Sequence, residues 1–104
     1  MIVTTTESVP GKKVASIMGV VFGSCVKTKH IGKDIRASLR TVVGGEVTGY
    51  TNMMDEAKET ANQRMLEKAE ALGADAVIGA RFTTAQTMKS AAEILAFGTA
   101  VKLE

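Results

Sequence analysis

The chain is short of the residue types on which most reactive and metal-binding sites depend. It has one cysteine, Cys25, and one histidine, His30, and it has no tryptophan among its 104 residues. A single cysteine cannot close a disulfide within the chain. A structural zinc site takes four ligands, which usually come as closely spaced pairs. The composition therefore excludes an internal disulfide framework and argues against a zinc site built within one copy of the chain.

Aromatic residues and long apolar runs are scarce as well. Three phenylalanines and one tyrosine offer little surface for stacking bases, and the net charge of +2 is too small to attract nucleic acid by itself. No run approaches the roughly 18 uncharged residues of a membrane-spanning helix. The N-terminus lacks the pattern of a signal peptide. We therefore expect a cytoplasmic protein with neither a nucleic-acid partner nor a membrane contact.

The usual sequence signatures of catalysis are missing too. The glycine-rich stretch 44–49 precedes a predicted helix, but it lacks the Gly-Lys-Ser/Thr ending of a P-loop, and no GxGxxG motif occurs. His30 lies among lysines and would be a poor general base. No serine or cysteine has a recognisable base near it in sequence. The sequence leaves enzymatic activity open and favours a role without catalysis.

The feature that stands out is a long strand-like run over residues 13–28, KVASIMGVVFGSCVKT. Successive side chains of a strand point to opposite faces. One face would carry Val14, Met18, Val20, Phe22 and Val26. The other would carry Ala15, Ile17, Gly19, Val21, Gly23 and Cys25. Both faces are apolar, and helices on one side of a small sheet can cover only one of them, so the run predicts an obligate assembly in which other subunits cover the second face.

The pattern along the chain predicts one α+β domain over residues 1–104, with an antiparallel sheet in the order β-β-α-α-β-β and its helices on one face. A first strand over 2–6 would return through a type II turn at Pro10 and Gly11 as a hairpin into the long strand. Helices follow over 32–43 and 50–72. Strands over 76–87 and 91–103 form a second hairpin.

The predicted helix over 50–72 carries an apolar stripe dominated by alanine. The stripe consists of Met54, Ala57, Ala61, Met65, Ala69 and Leu72. Ala15, Gly19 and Gly23 lie four residues apart on the long strand, and small residues on both elements permit close packing of helix on sheet. We expect that face to receive the helix and the face with Val20 and Phe22 to meet other subunits.

Two groups of residues are candidates for binding. Cys25 and His30 form the only soft pair for a metal ion, although a buried free cysteine usually packs as a small hydrophobe. Copies of Cys25 could also gather around a symmetry axis, but its place on the predicted helix face argues against such a ring.

The second group would bind an anion. Gly44, Gly45, Glu46 and Tyr50 lie at a predicted helix N-terminus, which attracts anions, and Arg36 and Arg40 supply nearby cations. The alternative is a tight connection between two helices. The basic stretch 27–40 could equally pair with the acidic stretch 46–70 of its own or a neighbouring copy.

Four blocks in order make the chain resemble a known family. They are IGKDI at 31–35, VGGE at 43–46, YT at 50–51 and GADAV at 73–77, and they resemble the YbjQ-like family over nearly the whole chain. The resemblance implies a small antiparallel α+β domain assembled into a ring-shaped homopentamer. It also implies a soft divalent metal ion, because the family is described as heavy-metal-binding, but it supplies no ligand set residue by residue.

These observations lead to one leading hypothesis and two alternatives. We expect a cytoplasmic homo-oligomer, with five copies implied by the resemblance, that binds a heavy metal or small ligand at subunit interfaces. The first alternative is an anion-binding module or enzyme with a cleft at residues 44–50. The second is a purely structural or interaction protein.

Overall fold

The computed structural model describes residues 1–28, 48–88 and 91–104. The strands are β1 (Ile2–Val3), β2 (Val14–Thr28), β3 (Ala76–Met88) and β4 (Ala91–Leu103), and the helix is α1 (Thr48–Ala71). These bounds confirm the long strand, the long helix and the final hairpin to within a few residues. The helix predicted over 32–43 lies outside the described residues.

The four strands form one mixed sheet in the order β1-β3-β4-β2. β4 lies in the middle and pairs antiparallel with both β2 and β3. β1 pairs in parallel with β3, through Ile2 opposite Ala76 and Val3 opposite Val77. The α+β class is confirmed, whereas the wholly antiparallel sheet is corrected by this one parallel pair.

The predicted hairpin between the first two strands is wrong, although its turn exists. Lys12 donates its backbone N–H to the Val9 carbonyl at 3.0 Å, and Gly11 has φ of +79°, as the third residue of a type II turn requires. The chain nevertheless leaves β1 on one edge of the sheet and β2 on the other. Burial of Val9 against Ala76 and Val101 holds the connecting segment across the sheet, and this burial outweighs local pairing.

Two irregularities in β2 change which side chains face the helix. The pairing with β4 shifts register between Val14 and Ser16 and again between Ile17 and Gly19. Each extra residue reverses the alternation of the side chains. Ile17 consequently lies on the face away from the helix, 71% exposed, and Met18 packs against the core instead.

The prediction that Ala15 and Gly19 receive the helix is therefore wrong. Ala15 is exposed, and a Cβ added at Gly19 would meet nothing within 4 Å. Gly19 serves the second irregularity, because its φ of +132° is a conformation that other residues rarely adopt. Strict period-two reading of the sequence could not reveal these inserted residues.

The prediction for Gly23 is confirmed. A Cβ at this position would collide with the Ala61 carbonyl oxygen and the Met65 backbone nitrogen, so the backbone of α1 rests directly on the strand. The alanine stripe makes this approach possible: Ala57, Ala61 and Ala69 are fully buried. Leu72, predicted to extend the stripe, lies beyond the end of α1 and is 47% exposed.

The main core fills the space between α1 and the sheet. It joins the stripe of α1 to buried side chains of three strands: Val21 and Cys25 of β2, Val77 and Ala80 of β3, and Ile94, Ala96 and Ala100 of β4. A smaller cluster around Val9, Ala76 and Val101 occupies one end of the opposite face. The rest of that opposite face is not covered by α1.

Candidate functional site

A row of large apolar side chains lies open on the face of the sheet opposite α1. Four of them come from β2: Ile17 (71% exposed), Val20 (59%), Phe22 (48%) and Val26 (52%). Phe22 lies opposite Phe97 of β4, and Ser24 lies opposite Leu95. Leu95 and Phe97 are half-buried and continue the row onto β4. We call these six apolar residues the open sheet face: Ile17, Val20, Phe22, Val26, Leu95 and Phe97.

The sequence predicted this surface in large part. Val20, Phe22 and Val26 were expected on a face left for other subunits, and their exposure confirms that they lie away from the helix. Val14 and Met18 were expected there too, but Val14 packs against the second cluster and Met18 against the main core. Ile17 takes their place because of the register shifts in β2.

The strand that carries most of this face also lies at an edge of the sheet. β2 has 15 residues and is hydrogen-bonded to β4 on one side. Within the described ranges no strand occupies its other side. A long edge strand presents unpaired N–H and C=O groups that favour pairing with another chain. Arg64 of α1 reaches this strand and donates from Nη1 to the Ser24 carbonyl oxygen at 2.6 Å.

Cys25 lies on the other face, under α1. It is 5% exposed and belongs to the main core, opposite Ile94 of β4, which is 2% exposed. Among residues 1–28, 48–88 and 91–104 no group of three His, Cys, Asp or Glu side chains is placed to hold a metal ion. A soft metal ion needs a reachable thiolate and further soft donors. Cys25 therefore does not fit the metal ion that the resemblance implies.

The remaining predicted site residues are not brought together by the described part of the chain. His30, Arg36, Arg40, Gly44, Gly45 and Glu46 lie outside the described residues. Tyr50 belongs to the first turn of α1. The anion cleft and the pairing of the charged stretches consequently stay predictions.

A cavity of about 240 Å³ lies between α1 and β3, and no pattern in the sequence indicates it. Its walls are mostly apolar and include Met65 and Asn62 of α1, Phe82 of β3 and Ala96 of β4. α1 packs mainly on β2 and least on β3, which leaves Phe82 52% exposed. Only the lateral placement of the helix on the sheet creates this opening.

Arg81 lies beside the cavity, and its guanidinium group binds backbone carbonyl oxygens. Its Nη1 donates to the carbonyl oxygens of Thr5 (2.8 Å) and Ala80 (3.0 Å). The bond to Thr5 ties β3 to the segment that follows β1. In the same segment the carbonyl oxygens of Thr4 and Thr6 accept the backbone N–H groups of Ala80 and Gly79, respectively. Arg81 thus connects β3 to the residues that follow β1, the edge strand of the sheet.

The described helix is too polar to cross a membrane, since it has no apolar window of the required length.

Comparison with known proteins agrees with the blocks found in the sequence. The model of the YbjQ family, described as "Putative heavy-metal-binding", matches residues 1–104. A UPF0145 protein of Vibrio parahaemolyticus is 56% identical over 103 residues, covering 99% of this chain and 98% of the relative. A UPF0145 protein of Thermotoga petrophila is 59% identical over 104 residues, covering 100% and 98%.

A solved structure supports the fold. The crystal structure of a DUF74-family protein of unknown function from Pediococcus pentosaceus is similar with a TM-score of 0.70. It shares 20% sequence identity and covers 100% of this chain and 98% of the other. At this identity the likeness concerns the fold. The family model matches the whole chain, and the two relatives align with all or nearly all of it. The chain therefore belongs to the YbjQ family.

Proposed function

We propose that the protein acts as a homo-oligomer and that other copies cover the open sheet face. The observation that carries the proposal is the row Ile17, Val20, Phe22 and Val26, each about half exposed or more, on a single edge strand. Soluble monomers seldom expose contiguous apolar surface of this kind without using it for an interaction. A ring of five copies is the form that the sequence resemblance implies.

Burial of this face would supply a substantial driving force. Complete burial of a large aliphatic or aromatic side chain is worth about 1.5–3 kcal/mol, so side chains that are already half covered would add on the order of 1 kcal/mol each. Phe22 and Phe97 lie next to one another at the centre of the face. Central aromatic residues usually carry most of the energy of a protein interface.

The experiment compares two phenylalanines on opposite faces of the sheet. Phe22 and Phe82 are almost equally exposed, at 48% and 52%, but Phe82 lies opposite Ala96 on the helix side. Native mass spectrometry at micromolar concentration should give a closed oligomer for the wild type and a monomer for Phe22→Glu. Phe82→Glu should have the same number of subunits as the wild type. Circular dichroism should show that both variants stay folded.

A wild-type protein that is a monomer at micromolar concentration would refute the assembly. An unchanged number of subunits for Phe22→Glu would show that the open sheet face is not the interface. Loss of assembly in Phe82→Glu alone would place the contact on the helix side.

The family description suggests in addition that the assembly holds a heavy metal ion or another small ligand where copies meet. We propose that such a site uses donors other than Cys25, because this thiol is covered by the helix of its own copy. Elemental analysis of untagged wild-type protein should then find zinc, copper or nickel, and the Phe22→Glu monomer should have lost it. Absence of metal from both proteins would leave a structural or interaction role as the better account.

A further inference from the structure

We infer that Cys25, the chain's one thiol, is not a metal ligand in the folded protein, and that a thiophilic ion reaches it only when α1 separates from the sheet. The inference concerns a single copy of the chain and does not depend on the assembly proposed above. It disagrees with a direct reading of the family description, and the disagreement follows from where the structure places the thiol.

The covering of Cys25 comes from the close contact between α1 and β2 at Gly23. Two residues before it on the same face, Gly23 bears the backbone of α1 at Ala61 and Met65. Ala57, Ala61 and Ala69 of the helix are fully buried in the same cluster as Cys25. Because the helix sits with its backbone against the strand, small movements of side chains cannot open a path, and access needs separation of the two elements.

The side chains around Cys25 also argue against a metal site at this position. Its neighbour across the sheet is Ile94, and among the residues that the structure describes no polar or charged side chain is buried. Thioethers do belong to the main core, since Met65 is buried there and Met18 and Met54 pack against it. Such methionines usually fill irregular core space, although a thiol with thioethers could in principle suit Cu(I). A copper site of this kind in the folded chain would raise the melting temperature, whereas an ion that binds only the opened chain would lower it. The direction of the change therefore distinguishes the two.

The effect of a metal ion on the stability of the protein depends on whether the ion binds Cys25 in the folded chain or only in the opened chain. An ion that binds only the opened or unfolded chain draws the equilibrium toward that state, whereas an ion that binds the native chain stabilises it. For a domain of this size, a modest change in stability shifts the melting temperature by several degrees. A thiophilic ion should therefore lower the melting temperature of this protein.

The probe is Hg²⁺, with Cu⁺ measured in parallel, on the wild type and on Cys25→Ala. We expect each ion to lower the wild-type melting temperature by on the order of 5 °C at saturating concentration and to leave the variant unaffected. A disulfide reagent should label native wild-type thiol at least about 100-fold more slowly than thiol in denaturant, because labelling has to wait for opening. Cys25→Ser serves as a second variant if the alanine variant does not fold.

An unchanged or raised melting temperature of the wild type with either ion would overturn the inference. Prompt labelling of native thiol would overturn it as well. One Cu⁺ bound per native chain and lost in Cys25→Ala would establish the rival site with the methionines. Native mass spectra of the same samples report the oligomer separately, so failure of this inference and failure of the assembly can be told apart.

Discussion

Asp75 is a single residue that joins two distant parts of the chain. It follows the end of α1, and its Oδ2 accepts the backbone N–H of Leu103 at 2.8 Å. Its Oδ1 accepts from Lys102 Nζ at 3.3 Å, and the same ammonium donates to the Gly73 carbonyl oxygen at 3.1 Å. The backbone bond from Leu103, followed by the contact with Lys102, holds the pKa of the Asp75 carboxyl below its ordinary value of 3.8.

This lowered pKa gives a testable pH dependence. A carboxyl whose pKa falls on folding stabilises the protein above its unfolded pKa, and the contribution disappears as the pH falls through the folded value. We expect Asp75→Asn to melt at a lower temperature than the wild type at pH 7. The gap between the two should shrink below about pH 4, as measured by circular dichroism melting at a series of pH values.

Asp55→Asn is the matched control. Asp55 pairs with Lys58 at 3.0 Å on the exposed side of α1, and exposed ion pairs contribute little to stability. Its melting temperature should follow that of the wild type at each pH. A gap between wild type and Asp75→Asn that stays constant from pH 7 to pH 3 would contradict the role given to the ionised carboxyl.

The contact between two elements, α1 and β2, is decided at Gly23. The stripe of alanines on the helix was readable from the sequence, and so was the need for a small residue facing it. The sequence suggested three such residues on the strand, Ala15, Gly19 and Gly23, but only Gly23 takes this part. The other two were misplaced because irregularities in β2 depend on its pairing with β4, which lies 60 or more residues further along the chain.

Gly23→Ala should strongly destabilise the fold. The added methyl group would meet the helix backbone at Ala61 and Met65, and backbone cannot turn away as a flexible side chain can. Overpacking of this kind costs about 1–3 kcal/mol or more, and urea unfolding measures it. Ser24→Ala, one residue further on an exposed position, should change stability by less than about 0.5 kcal/mol. Equal stability of the two variants would show that the helix does not rest on Gly23.

At the scale of the whole molecule, the described residues bury one face of the sheet and leave most of the other open. α1 covers the helix side, the Val9 cluster covers one end of the far side, and the open sheet face accounts for the remainder. One helix can cover only one face of a sheet, and α1 already lies on the face that carries the main core. We therefore expect association of copies to cover the apolar side chains of the second face.

Association should appear in thermal unfolding as a dependence on protein concentration. If copies stabilise one another by covering the open sheet face, mass action raises the melting temperature as the concentration rises. We expect this rise for the wild type and Phe82→Glu over a hundredfold range, measured by scanning calorimetry or fluorescence. Phe22→Glu should melt lower and at a temperature independent of concentration. A concentration-independent wild type would mean that folding and assembly are not coupled.

Patterns in the amino-acid sequence were enough to predict the fold class, the long strand and helix, the alanine stripe, and more apolar strand surface than one helix can cover. These follow from local periodicity, which a single chain displays directly. Three further features depend on contacts between distant parts of the chain. The tertiary fold set β1 beside β3, because burial of Val9 prevails over a local hairpin. It exchanged Ile17 and Met18 between faces, because pairing with β4 inserts residues into β2. It brought α1 close enough to the strand at Gly23 to bury Cys25, which the sequence had already predicted on the helix face. Since packing controls access to a thiol, the accessibility of that thiol was settled by the fold.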